Sequence, residues 1–149
     1  MEELKNKVEN MIFFDNASTT SVDDRVFSEM IPYFTQYYGN PSSFHYVGQE
    51  VNNKMDEARL KVAELVGAGT EEIYFTSSGS ESNNFAVWGI ARANKDMGNH
   101  IIVSEIEHFS VLNPVKEMKR EGWDFTIIPV DEYGLVNPQD IKQAINKKT

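Results

Sequence analysis

Cysteine is absent from the chain. That excludes a disulfide framework, a Cys-ligated zinc and a thiol nucleophile supplied by these residues. Long apolar runs are lacking too, and no segment approaches the length of a membrane span. The charged stretch Met1 to Asn10 also has no apolar region of the kind a secretory signal carries. A soluble, cytoplasmic protein is the expectation. Basic residues are few, 14 Lys and Arg against 23 Asp and Glu, which gives a formal net charge of −9. Nucleic acids and anionic membranes are bound by clustered Lys and Arg, so neither is expected as a partner. The acidic excess forms no run of five like charges and reads as solvated faces.

The signatures of several chemistries are missing as well. No G-x-x-x-x-G-K-[ST] or G-x-G-x-x-G occurs, which counts against a nucleotide loop. G-x-S-x-G is absent, which counts against a hydrolase. The three histidines, His45, His100 and His108, are too scattered for a metal-ligand pattern, so no metal site is expected. Internal repeats, low-complexity tracts and evident linkers are lacking too.

What is present is globular. Hydrophobic residues make up 40% of the chain and charged residues 25%. At 149 residues it has single-domain size, enough to bury about two-thirds of its unfolded surface if it closes one core. Met11 to Phe14 is a short apolar run that leads into the polar cluster Asp15 to Thr20. A helix capped at Ser21 is expected next, with Val26, Met30 and Phe34 on one face and Pro32 as a kink or break. Gly39 to Ser43 is a turn. Val47, Val51, Met55, Ala58, Val62 and Leu65 then form an amphipathic stripe stopped by Gly67, a helix suited to covering a sheet.

Ile73-Tyr74-Phe75 reads as a buried strand, and Phe85 to Ala91 as part of a helix. His100 to Ser104 is a continuous apolar strand of the kind covered on both faces. A helix capped by Ser110 is expected to reach Arg120, with Pro114 in its first turn and Gly122 as its stop. Trp123 to Val130 is a further strand, and Asn137-Pro138 opens a last helix over Gln139 to Lys147. The alternation from Glu50 onward predicts an α/β fold with right-handed crossovers and a largely parallel sheet. In such sheets ligands sit beyond the carboxyl ends of the strands.

Thr76-Ser77-Ser78-Gly79-Ser80-Glu81 lies between the first expected strand and its helix. A helix start leaves backbone N–H groups unpaired, and these donors together with the helix dipole bind anions, phosphate above all. Ser77, Ser78 and Ser80 add hydroxyls. The plainer reading is that Ser78-x-x-Glu81 is only a capping box. His108, after the strand His100 to Ser104, is either structural or placed to stack on a flat cofactor or move a proton. His45 reads as packing or capping, and His100 has no special claim.

Four stretches in order now carry a resemblance. They are Phe14 to Thr20, Gly39-Asn40-Pro41-Ser42-Ser43 with His45 and Gly48, Thr76 to Asn84, and Glu107-His108. Together they resemble the N-terminal part of cysteine desulfurases, pyridoxal-phosphate enzymes of the class V aminotransferase group. The resemblance runs from about Met11 to Thr149. It implies the N-terminal half of a type I, aspartate-aminotransferase-like large domain, a largely parallel sheet with helices on both faces. Residues 1–20 would be an N-terminal arm and 21–149 the first half of the cofactor-binding domain. Gly79 and Ser80 match positions that hold the cofactor phosphate. His108 matches the histidine that stacks on the pyridine ring and is thought to assist proton transfer. Asn16 and Ala17, in the arm, match the substrate entrance.

Two positions depart from the pattern. Ser80 stands where relatives usually have Thr and keeps the hydroxyl. Ser78 stands where they usually have Gly, and its side chain crowds a turn that Gly would leave open. The family's chains are far longer, and the unmatched part carries the Schiff-base lysine, the aspartate that pairs with the pyridine nitrogen, and the persulfide-forming cysteine. None of the lysines here lies in the family's lysine motif. The resemblance therefore implies a share of an enzyme that takes sulfur from L-cysteine, leaving alanine, inactive by itself and not holding the cofactor covalently. Selenocysteine lyase, another class V aminotransferase, or a non-enzymatic truncated homologue are the alternatives. A homodimer, a complementary C-terminal half and a sulfur-acceptor protein are the implied partners.

Overall fold

The computed structural model describes residues 11–149. The chain divides into two compact units, one ending at Ile73 and the other spanning Tyr74–Thr149. In the first unit, helix α1 covers Asp24–Thr35 and helix α2 covers Tyr46–Val66, followed by a 3-10 turn at Thr70–Glu72. The cap of α1 is Asp23 rather than Ser21. Its carboxylate accepts from the Arg25 backbone N–H at 2.9 Å and is also gripped by the Arg25 guanidinium, a combination a hydroxyl cannot offer. Pro32 is accommodated inside the helix, which ends at Thr35, with the Gln36 and Tyr37 N–H groups both donating to the Pro32 carbonyl.

Helix α2 starts and stops where its sequence indicates. His45 is the cap, its Nδ1 accepting from the Gly48 N–H at 3.3 Å, and Gly67 closes the helix at φ 70°. Gly48 is required by close approach: a side-chain carbon there would stand 2.6 Å from the carbonyls of both Asn40 and Ser43. That contact accounts for the glycine five residues after the Ser-Ser turn. The expected stripe is only partly buried. Gly48, Val51 and Ala63 are buried, whereas Leu65 is 85% exposed.

The second unit carries α3 (Gly79–Ala93), β1 (His100–Ser104), α4 (Phe109–Glu117), β2 (Asp124–Ile128) and α5 (Pro138–Ala144). Strands β1 and β2 pair in parallel, in register from His100 with Asp124 to Ser104 with Ile128. Parallel neighbours need a crossover, and α4 supplies it, so β1-α4-β2 is a βαβ unit. The core has two buried clusters, Val103 with Leu112 and Val115, and Ala91 with Met118 and Trp123. Val87 of α3 and Ile101 of β1 pack against both and join helix to sheet.

Five expectations are corrected here. Ile73 to Phe75 forms no strand; the described sheet consists of β1 and β2, and the Ile73 carbonyl accepts from the Arg59 guanidinium instead of a neighbouring strand. The strand expected to reach Val130 ends at Ile128, because Pro129 has no N–H to continue the ladder. Helix α4 is capped by His108, not Ser110, which moves Pro114 out of the first turn. Its α-helical part stops at Glu117, and a 3-10 turn, Met118–Glu121, leads to Gly122. Helix α5 ends at Ala144, short of Lys147, and the released backbone returns to β1, where the Lys148 carbonyl accepts from the His100 N–H at 2.9 Å. No helix among the described residues is long and apolar enough to cross a membrane.

Candidate functional site

The start of α3 is held open by its own side chains. Ser78 has an extended backbone, φ −165° and ψ 161°, which any residue adopts, so it does not strain the turn. Its hydroxyl accepts from the Glu81 N–H at 3.2 Å. The second half of the expected capping box is shifted by one residue: the Glu81 carboxylate accepts from the Ser77 N–H and the Ser77 hydroxyl, each at 2.6 Å. The Ser77 hydroxyl, and then its backbone N–H, hold the Glu81 carboxyl below the usual Glu range.

These bonds leave the next two amides free. Neither the Gly79 nor the Ser80 N–H meets an acceptor among the described residues, and the Ser80 hydroxyl has no partner either. No atom lies within 4 Å of where a side-chain carbon on Gly79 would stand. Two oriented N–H groups, a hydroxyl and open space at the positive end of a helix fit a phosphate group. All of these donors are neutral, so they supply placement more than binding strength.

His108 sits at the start of α4, four residues beyond the end of β1. The Pro114 ring nitrogen has no hydrogen, so the Ser110 carbonyl lacks its helical donor. The Asn84 amide fills that gap at 3.4 Å, and the neighbouring Asn83 amide donates to the Ser110 hydroxyl at 2.8 Å. These two bonds tie α3 to α4 and set Ser80 and His108 along one groove of about 450 Å³, together with Trp88, Asn113 and Glu117. The free helix start and an imidazole thus line a common space. Gly79 adjoins that space through Ser80. Asn16 and Ala17 lie in an exposed turn of the first unit, where the Ser18 N–H donates to the Asp15 carbonyl at 3.1 Å.

Sequence reasoning missed the Asn83, Asn84 and Ser110 linkage. Ser110 was expected only as a cap. The available signal was Pro114 four residues after Ser110, which announces a carbonyl in need of an outside donor. His100 is structural: its ring bonds Thr126 and Thr149 hydroxyls, each at 2.8 Å.

A parallel βαβ unit with a free helix start and a histidine beyond a strand end defines an α/β protein suited to a phosphate-bearing ligand. Comparison narrows the class. The model of the class-V aminotransferase family matches residues 12–149, and the chain belongs to that family. It is 45% identical over 139 residues to a cysteine desulfurase, IscS 1, of Archaeoglobus fulgidus, covering 93% of this chain and 36% of that protein. Against the cysteine desulfurase IscS of Methanosarcina thermophila the identity is 44%, covering 93% of this chain and 34% of that one. Among solved structures, a NifS-like protein superposes with a TM-score of 0.85 at 38% identity, covering 93% of this chain and 38% of that chain. SspA in complex with cysteine superposes with a TM-score of 0.83 at 34% identity, covering 93% and 40%. The chain spans about a third of the length of these curated relatives and corresponds to their N-terminal portion. The fold agrees with the N-terminal part of a type I pyridoxal-phosphate protein, and the family works with that cofactor.

Proposed function

We propose that this chain supplies the phosphate-holding and ring-facing share of a pyridoxal-phosphate site in a cysteine desulfurase. L-cysteine is the substrate, and alanine and a protein-bound sulfur are the products. The observation that carries the reading is the shared groove of Ser80 and His108, with the Gly79 and Ser80 amides free beside it. When bound, the cofactor acts as an electron sink for the substrate's bonds. Gly79 and Ser80 fix the phosphate end, His108 stands against the ring, and the Asn83 and Asn84 bonds keep the two helices in register. Asn16 and Ala17 line the substrate entrance in this reading.

The chain has no cysteine to receive sulfur and no lysine in the family's motif. Both groups therefore come from a further segment, in the same protein or in a partner chain, and covalent catalysis requires them. A homodimer and a sulfur-acceptor protein, with delivery toward iron-sulfur cluster assembly, complete the reading. The test is phosphorus NMR and visible absorption of pyridoxal phosphate titrated with the purified chain. The expected result is a broadened, shifted phosphate signal, weakened by Ser80→Ala, with no lysine-linked absorption band. An unaltered phosphate signal, or a lysine-linked band removed by one Lys→Ala change, overturns it.

A further inference from the structure

His108 has one nitrogen committed and one free. Its Nδ1 accepts from the Ser110 backbone N–H at 3.1 Å and lies 2.8 Å from the Ser110 hydroxyl. A backbone N–H can only donate, so Nδ1 carries a lone pair and the proton of the neutral ring is on Nε2. The Ser110 hydroxyl has its acceptor side occupied by the Asn83 amide at 2.8 Å, which turns its own hydrogen toward Nδ1. Asn83 is half-buried on α3, while His108 and Ser110 belong to α4, so the chain of donors crosses between two helices. The Nε2 atom has no partner among the described residues.

We infer that Asn83 and Ser110 are positioning residues which hold His108 as its Nε2–H tautomer, so that the ring offers the groove a hydrogen-bond donor and not a lone pair. A helix cap alone needs only the Ser110 N–H; the hydroxyl and the Asn83 amide add a directed relay that capping does not require. In this tautomer His108 donates to an acceptor on the ligand. To serve as a base at Nε2 it would first have to carry its proton on Nδ1, giving up the Ser110 N–H contact and reversing the hydroxyl one. What the donor faces rests on the cofactor reading above; the tautomer itself does not.

The test is nitrogen NMR of the imidazoles in the full chain, labelled with nitrogen-15, without cofactor and at a pH where His108 is neutral. Loss of one signal set in His108→Gln assigns the ring. The expected result is a pyridine-type Nδ1 and a pyrrole-type Nε2. Ser110→Ala keeps the backbone N–H, and its Nδ1 signal moves away from the wild-type position by more than Nε2 does. Asn83→Ala gives a smaller shift of the same sense, and Ser110→Thr restores the wild-type signals. A protonated Nδ1 in the wild-type chain overturns the inference, as does a Ser110→Ala spectrum with unmoved ring nitrogens. Amide dispersion in the same samples reports folding, and where a variant fails to fold the protonation of Nδ1 in the wild-type chain still decides the tautomer. If pyridoxal phosphate fails to bind while these shifts appear, the function reading falls and the tautomer assignment remains.

Discussion

Ser78 is the residue whose side chain the sequence left in question at the start of α3, and the structure gives it a use. Its hydroxyl caps α3 in a backbone conformation open to any residue. Ser78→Ala removes that bond and is expected to cost about 0.5–2 kcal/mol, whereas Ser78→Gly costs only about a few tenths. Chemical denaturation of the two variants checks the order, and a Gly variant less stable than the Ala variant would contradict it. Beside it, the lowered Glu81 carboxyl links this turn to pH. Because the folded value lies below the ordinary one, its stabilisation is complete above the ordinary Glu range. It fades as pH falls through the folded value. The Ser77 amide resonance should therefore shift on acidification in the wild-type chain and not in Glu81→Gln. A wild-type resonance that ignores acid would show that the Ser77–Glu81 bonds are absent in solution.

Among the elements, β1-α4-β2 and the turn Met118–Glu121 carry most of the buried apolar residues of the second unit. Met118 is fully buried between α3 and the sheet region, beside Ala91 and Trp123. Met118→Ala is expected to destabilise the second unit by about 2–5 kcal/mol, read as a lower denaturant midpoint. A loss below about 1 kcal/mol would mean that the cluster around Trp123 is not packed as described. Strand β1 was legible because Ile101 to Val103 is a continuous apolar run, β2 because β-branched and aromatic residues dominate Phe125 to Ile128, and α2 because its four-three spacing is sustained to Gly67. The unformed strand at Ile73 to Phe75 was not legible as such. Composition marks those residues as strand formers, but a strand also needs a neighbour to bond, which sequence alone does not reveal. The start of α4 was misread because His108 and Ser110 are both able to cap, and only the fold shows which one does.

At the scale of the whole molecule, large apolar side chains stand exposed in each of the two units. Phe14 and Phe44 are each 95% exposed, and Phe85 and Ile90 are 55% and 67% exposed. A sheet whose further strands lie outside these residues is expected to expose the helix around Phe85, Val87, Trp88 and Ile90 and the strand Trp123 to Val130. For part of that surface the structure differs, and Trp88 is half-buried against the core. Val87 packs on the core, and Trp123 and Ile128 are buried. Self-association or binding to a complementary segment is the expected behaviour, and light scattering on fresh protein checks it. A monodisperse monomer at high concentration with two-state unfolding would contradict it.

The central claim is that Gly79, Ser80 and His108 together receive one phosphate-bearing ring. Proton–nitrogen correlation spectra of the labelled chain test it most directly, recorded with pyridoxal phosphate, with pyridoxal lacking the phosphate, and with inorganic phosphate. The account predicts that the Gly79 and Ser80 amides move with both phosphate ligands and not with pyridoxal, while His108 moves with the two ring ligands. Unmoved Gly79 and Ser80 amides with pyridoxal phosphate, or His108 shifts confined to inorganic phosphate, would contradict it.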